Sequence, residues 1–349
     1  MEPVEGAFRD FASARAAYED FKNAPPNSQA PYDCLLMYSG GKDSTYLLSQ
    51  FVEAGRRVLA YTFDVPFESV RAAENIELAK AKLNATFFLD SDDQNIKRMM
   101  QEVFNRPKRP GAGKYLDEKL PCISCRTFFL LRGLLHAYKL GIPHLILCAD
   151  PQQILTMESD AREMVRSFYR EFGNELASEL FSGELEQLLF AEEGTLPKII
   201  FPFVEQRRSY DPDRIASEMQ RKGLYQSSPL ETHCTLFPLL NYYSYKNFDC
   251  MFYKLNASSH VRSLTRNKDH DRASYSMRLP RDLDVEKTEN ELKSVILQLA
   301  AGEGDRRAHE RALTGVFKDL GATDEAAQFA TQNFLDLQQI AADVGIKLD

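Results

Sequence analysis

Short apolar runs alternate with helical patterns along the first part of this 349-residue chain. The predicted strands are residues 34–38, 58–63, 86–89, 145–148 and 199–201, and the predicted helices between them are about 44–54, 68–83, 94–104 and 124–140. Parallel strands need long right-handed connections, which helices of this length supply. The alternation therefore predicts an α/β fold, with helices on both faces of a five-stranded parallel sheet.

The segments outside this alternation are predicted to be mainly helical. Residues 1–30 form an N-terminal helix and linker, and residues 31–255 hold the sheet together with a helical insertion at about 155–195. Residues 256–349 form a basic segment followed by a C-terminal helical extension, because apolar residues there recur every three or four positions.

Composition narrows the class of protein. With 44% hydrophobic and 27% charged residues, the chain is neither disordered nor collagen-like. No apolar run approaches the ~20 residues that span a membrane. The first residues are polar and acidic, unlike a secretory signal, and the six cysteines are too few for a disulfide scaffold. We therefore expect a cytoplasmic protein without membrane contact. Its net charge of -8 weakens a general case for binding nucleic acid.

The connection after the first strand has the composition of an anion site. It joins a buried strand directly to a helix and consists of Ser39, Gly40, Gly41, Lys42, Asp43 and Ser44. Glycines let the backbone approach an oxyanion, and the helix N-terminus favours negative charge. The serines add hydroxyl donors and the lysine a mobile cation. The spacer of the Walker A motif is missing, so the segment is a different phosphate site or a tight structural turn.

This segment resembles the signature of the PP-loop ATP pyrophosphatases, which have an adenine nucleotide alpha hydrolase-like fold. The resemblance covers roughly residues 31–240 and implies that residues 39–44 bind ATP, with Phe63 beside the adenine. It implies that a carbonyl or amide oxygen attacks the α-phosphate, which gives an adenylate and pyrophosphate, and that a nucleophile then displaces AMP. Lys42 and Asp43 are the candidate catalytic residues, and Mg²⁺ would screen the phosphates.

A C-x-x-C motif is the second feature with chemical potential. Cys122 and Cys125 follow Pro121, where we predict a helix start that would favour thiolates. The motif alone fits a redox pair, half a zinc site or ligands of an iron–sulfur cluster. Cys234, in a polar loop, is the candidate third ligand. The remaining cysteines lie among apolar residues and are predicted to be core thiols: Cys34, Cys148 and Cys250.

Two PP-loop subgroups resemble this arrangement. In the tRNA 2-thiolation enzymes three cysteines hold a [4Fe–4S] cluster, which implies Cys122, Cys125 and Cys234 as metal ligands, with Cys122 and Cys125 also catalytic. Their usual Gly-His pair after the fourth strand is absent here. The N-acetyl sugar amidotransferases share the Tyr-Asp-Cys lead-in at 32–34 and take ammonia from a partner, but their N-terminal cysteine cluster is missing.

We predict adenylation followed by sulfur transfer from a sulfur donor, with an ammonia-fed amidotransferase as the alternative. A nucleotide-binding module with structural Zn²⁺ is the alternative from another class.

The substrate is less constrained. A basic tract, defined as residues 262–281, fits tRNA phosphates or a solvated surface, and Arg207 and Arg208 are further candidates for anionic groups. His233, beside Cys234, is a candidate ligand or base, whereas His136 is predicted to be structural. No standalone RNA-binding domain is evident, so we expect a small-molecule or nucleotide-type substrate at least as much as tRNA. A homodimer is left open.

Overall fold

The computed structural model describes residues 11–25, 29–65, 70–106, 114–149, 158–192, 194–206, 209–227, 234–248, 284–320 and 322–348. They divide into two compact units. The first unit comprises the described parts of 1–66, 70–96 and 126–226, and the second those of 67–69, 97–125 and 227–349. The domain boundaries predicted after residues 30 and 255 stay predictions.

The first unit contains a five-stranded sheet whose order is β3-β2-β1-β4-β5. All four strand pairings are parallel. The strands are β1 (Cys34–Met37), β2 (Val58–Asp64), β3 (Thr86–Ser91), β4 (His144–Ile146) and β5 (Lys198–Ile200). The predicted α/β class and strand positions are confirmed.

Helices connect and cover these strands. They are α1 (Phe11–Asn23), α2 (Lys42–Glu53), α3 (Val70–Lys82), α4 (Asp93–Phe104), α5 (Lys114–Lys139), α6 (Ala161–Phe172), α7 (Asn174–Leu180), α8 (Leu185–Leu189) and α9 (Pro212–Arg221). A 3-10 helix, Pro202–Gln206, follows β5. Helices α6 to α8 confirm the predicted helical insertion. Among the described residues, no helix has the length and apolar character that crossing a membrane requires.

Both faces of the sheet are covered, as predicted. On one face, Leu36, Ala60 and Ile146 pack with residues from α1, α2, α3 and α9. On the other face, Phe63 packs edge-on to Phe128 of α5, with ring centroids 5.6 Å apart. The inner strands β1 and β2 therefore contribute alternate side chains to two apolar layers, whereas the edge strand β3 is mostly exposed, with Leu89 54% exposed.

The strand order reverses next to β1. From β1 the chain proceeds to β2 and β3 on one side, whereas β4 and β5 lie on the other side. In an open parallel sheet, the loops at such a reversal diverge above the carboxyl ends of the strands and leave a crevice. The loop after β1 is therefore at the position where ligands of this class of sheet bind.

An amide side chain fastens the end of the first unit to α3. Asn75 is fully buried, donates its Nδ2 to the carbonyl oxygen of Gln226 at 3.1 Å, and accepts from the Gln226 N–H at 2.8 Å. Gln226 is the last residue of that unit. A buried amide with both groups paired fixes the path of the chain here.

The elements of the second unit, among its described residues, are all helices. It contains parts of α4 and α5 together with α10 (Phe237–Phe248), α11 (Val285–Ala301), α12 (Arg306–Asp319), α13 (Asp324–Leu335) and α14 (Leu337–Val344). Side chains of Asp284, Asp305 and Thr323 cap three of these helices by accepting backbone N–H bonds. The predicted C-terminal helical extension is confirmed.

One predicted helix start is wrong. The C-x-x-C motif was expected at the beginning of a helix, but α5 begins at Lys114, so Pro121, Cys122 and Cys125 lie inside it. Proline is favoured in the first turn because it lacks an N–H, and this preference suggested a start at Pro121. The cysteines therefore lack the N-terminal N–H groups that were expected to favour thiolates.

Candidate functional site

The backbone of the loop after β1 requires glycine at one position. Gly40 has φ +67°, in the left-handed region. A Cβ built on Gly40 would lie 2.6 Å from the carbonyl oxygen of Ala72 and 3.1 Å from Cγ1 of Ile76. The loop therefore sits directly on α3, an approach that only a residue without a side chain permits.

The loop's own hydroxyl groups hold it in shape. The Oγ atoms of Ser39 and Ser44 are 3.3 Å apart, and Ser44, only 2% exposed, donates to the carbonyl oxygen of Gly41 at 3.1 Å. Gly41 is the N-cap of α2, and among the described residues no side chain caps that helix. The positive end of the α2 dipole is thus directed at the loop, and Asp43 in the first turn is the protein anion beside it.

Charged side chains flank the same helix start. Lys42 Nζ lies 3.1 Å from Asp43 Oδ2, and each side chain is about one-fifth exposed. The hydroxyl of Tyr210 donates to Asp43 Oδ1 at 2.8 Å. The predicted pair thus adjoins the loop, and Tyr210 joins it from 167 residues away. Sequence reasoning missed Tyr210; its only signal was a position after β5, whose carboxyl end shares an edge with that of β1.

A buried layer lies under the loop. Thr62 Oγ1 donates to the carbonyl oxygen of Tyr38 at 2.9 Å, and the Tyr38 hydroxyl lies 3.2 Å from Thr45 Oγ1. Burial raises the pKa of Tyr38 to about 12. Burial, and then the charge of Asp43, raise the pKa of the Cys148 thiol well above its usual range. As predicted, Cys148 packs against the core, and its neutral thiol donates to Met37 O at 3.5 Å.

Phe63 is enclosed at the end of β2. Its ring is 7% exposed and stacks on Phe129 with centroids 5.0 Å apart, while the Arg132 guanidinium lies 5.9 Å from its centroid. Arg132 makes two bonds to Asp90, from Nε at 3.0 Å and Nη2 at 2.8 Å. The Phe63 ring thus faces α5, and its assignment to the adenine stays a prediction.

Tyr61 also contacts the Arg132–Asp90 pair, because its hydroxyl donates to the Asp90 carboxylate. Burial, together with Asp90, raises the pKa of Tyr61 well above its usual range. His136 stacks on Phe88 at 4.2 Å, and burial lowers its pKa despite the opposing charge of Asp90. These groups form a closed network on the sheet, which agrees with the structural role predicted for His136.

The cysteines do not assemble into a metal site. Cys122, Cys125 and Cys234 are partly exposed and form no disulfide. Within the described ranges, which include all three, no group of three His, Cys, Asp or Glu residues is arranged to hold a metal ion. Two cysteines three positions apart on one helix share a face but supply only two donors. The residues as arranged therefore do not fit the predicted [4Fe–4S] cluster or Zn²⁺.

Several predicted positions lie outside the described residues. These are Arg207, Arg208, His233, Cys250 and the basic tract 262–281.

Known proteins show only weak similarity to this chain. No protein-family model and no curated protein sequence matches the chain. Among solved structures, an NMN synthetase from Francisella tularensis is similar at 12% identity and a TM-score of 0.30, over 69% of this chain and 95% of that one. A glutamine-dependent NAD+ synthetase from Acinetobacter baumannii, in complex with ADP, is similar at 14% identity and 0.28, over 64% and 46%. TM-scores this low carry no argument about fold or function.

Proposed function

We propose that this chain is an ATP-dependent adenylating enzyme of the PP-loop type. The observation that carries the proposal is the loop 39–44 at the reversal of strand order, where Gly40 sits on α3 and α2 has no side-chain cap. A hydroxyl-lined glycine turn that leads into an uncapped helix is suited to phosphate oxygens.

The residues of the loop fit the phosphates of ATP and their Mg²⁺. The Ser39 hydroxyl and the backbone N–H groups at the start of α2 offer donors, and Lys42 supplies a cation on a flexible stem. Mg²⁺ binds through one or two carboxylates and substrate phosphates while it keeps several waters, and Asp43 is the carboxylate beside the loop. Bound Mg²⁺ would screen the phosphate charge against an incoming nucleophile.

In this proposal the Lys42 ammonium leaves Asp43 and pairs with the phosphates of ATP. A substrate oxygen forms a bond to the α-phosphorus, the bond to the bridging oxygen breaks, and pyrophosphate leaves with that electron pair. The lysine and the α2 dipole stabilise the charge that develops on the leaving pyrophosphate. A second nucleophile then attacks the activated carbon, and AMP departs.

The identity of that second nucleophile is the finer part of the proposal. We favour sulfur, supplied by a donor, as the second nucleophile. Cys122 and Cys125, which share one face of α5, are the candidate catalytic thiols for that transfer. Ammonia from a partner protein is the alternative, and no step is assigned to an iron–sulfur cluster. The acceptor is a small-molecule or nucleotide-type substrate, and tRNA is retained as a second acceptor to be tested.

Substitution of Lys42 tests the proposal. We expect Lys42→Ala to weaken MgATP binding at least ~tenfold, because a charge-assisted contact to phosphate is lost. Binding is measured by calorimetry, with thermal unfolding as a check on folding. Lys80→Ala is the matched control, since Lys80 pairs with Glu77 on the exposed side of α3. The proposal fails if the unaltered protein does not bind MgATP, or if Lys42→Ala binds it equally well.

Pyrophosphate release separates an enzyme from a binding module. A screen of tRNA and small amides, with either sulfide or ammonia present, should reveal an acceptor on which release depends. The absence of pyrophosphate release across the whole screen would favour the module.

A further inference from the structure

We propose that Tyr210 is a positioning residue: it holds one oxygen of Asp43 so that the other is presented to the cation that accompanies ATP. The inference rests on the proposed function. The two oxygens of Asp43 have different partners, because Tyr210 donates to Oδ1 at 2.8 Å whereas Lys42 Nζ lies 3.1 Å from Oδ2.

Tyr210 is held rigidly. It is 9% exposed, and its ring meets the edge of Phe203 with centroids 5.2 Å apart. Phe203 is fully buried and stacks on Tyr46 of α2 at 6.2 Å. The Tyr210 backbone N–H donates to the carbonyl oxygen of Gln206 at 2.7 Å. The hydroxyl is therefore aimed at Asp43 by packing on one side and by the backbone on the other.

The two partners of Asp43 differ in mobility and in charge. Lys42 has a long flexible stem and can move to a phosphate, which releases Oδ2. Tyr210 stays in place, and because its hydroxyl is neutral it leaves the carboxylate its full negative charge for a cation. Without the tyrosine, a first-turn carboxylate is free to turn back toward the N–H groups of its own helix.

A purely structural role makes a different prediction. The Tyr210–Asp43 bond also joins α2 to the segment before α9, but Lys222 already links these helices, at 3.1 Å from Ser49 Oγ and 2.6 Å from Glu53 Oε1. If Tyr210 only stabilised this junction, its loss would lower the unfolding temperature and leave the effect of Mg²⁺ on nucleotide binding unchanged.

The experiment measures the dissociation constant of ATP by calorimetry, with Mg²⁺ and with EDTA. We define the magnesium gain as the ratio of the two affinities. In Tyr210→Phe we expect this gain to fall about tenfold, the size of one hydrogen bond to a charged group, while metal-free ATP binding is unchanged. Lys222→Ala is the matched control and should lower the unfolding temperature without changing the magnesium gain.

A second substitution isolates the pair. In an Asp43→Asn background, Tyr210→Phe should have no further effect on the magnesium gain, because the two residues act through one carboxylate. If Tyr210→Phe does not fold, Phe203→Leu takes its place, since it removes the ring that packs against Tyr210 and leaves Asp43 unchanged; a fall in the magnesium gain is again expected.

The outcomes separate the two proposals. If the unaltered protein does not bind ATP, the proposed function fails. If it binds MgATP and the gain is unchanged in Tyr210→Phe, or in Phe203→Leu where that variant is used, the role of Tyr210 is refuted while the proposed function stands.

Discussion

Single residues of the loop show what sequence can and cannot reveal. The six residues 39–44 are contiguous, so their composition alone indicated an anion site. Two features depend on distant segments and had no local signal: the contact of Gly40 with Ala72 in α3, and the bond from Tyr210 to Asp43. Contacts of this kind are set by how helices pack on the sheet, which periodicity does not specify.

Gly40→Ala tests the contact between the loop and α3. Gly40 and Gly55 both have left-handed backbones, but a Cβ on Gly55 meets nothing within 4 Å. Gly55→Ala should therefore lower the free energy of unfolding by only ~1–2 kcal/mol, which is the cost of a left-handed backbone at a residue with a side chain. Gly40→Ala should cost ~1–3 kcal/mol more, because its Cβ collides with the Ala72 carbonyl.

Denaturant unfolding of both glycine variants gives the comparison. Equal losses of stability would show that the loop can move away from α3 without cost and that the close packing of Gly40 is not required.

At the scale of elements, the strands were the most predictable part. Most residues of the inner strands β1 and β2 are apolar because helices cover these strands on both sides, and this leaves a clear signal. The start of α5 was not predictable, because Pro121 carries the signature of a first turn yet lies in the helix interior. The helix extends upstream of that proline through residues 114–120.

The contact between α5 and β3 predicts a pH dependence. Burial lowers the pKa of His136, and Lys139 and Arg132 add to this. The folded state thus favours the neutral ring, so this contribution is fully present above the ordinary pKa of about 6.5 and is lost as pH falls through that value toward the lowered one. His136→Phe keeps a ring to stack on Phe88 and should reduce the loss of unfolding temperature between pH 7 and 5.

The pH series is measured on the unaltered protein and on His136→Phe in the same buffers. His144, whose pKa burial also lowers, stays in both proteins and contributes equally. An identical pH dependence in the two proteins would contradict the assignment to His136.

At the scale of the whole molecule, the reactivity of Cys34 reports whether the sheet is folded. It is fully buried in β1, and burial raises the pKa of its thiol. We expect brief exposure to N-ethylmaleimide to label Cys34 only as denaturant unfolds the chain, with the same midpoint as circular dichroism. Cys122, partly exposed on α5, is the internal control and should react without denaturant. Labelling of both cysteines at similar rates in native buffer would show that β1 opens locally.

The serine bonds in the loop after β1 have a consequence for how tightly a ligand can bind. Ser39, Gly41 and Ser44 are already joined to one another when the chain is folded. The conformational entropy of ordering this turn is therefore lost during folding and is not lost again on association. Part of the binding free energy at this site therefore comes from the stability of the fold. A substitution that destabilises the sheet can weaken the binding of a ligand that it does not contact.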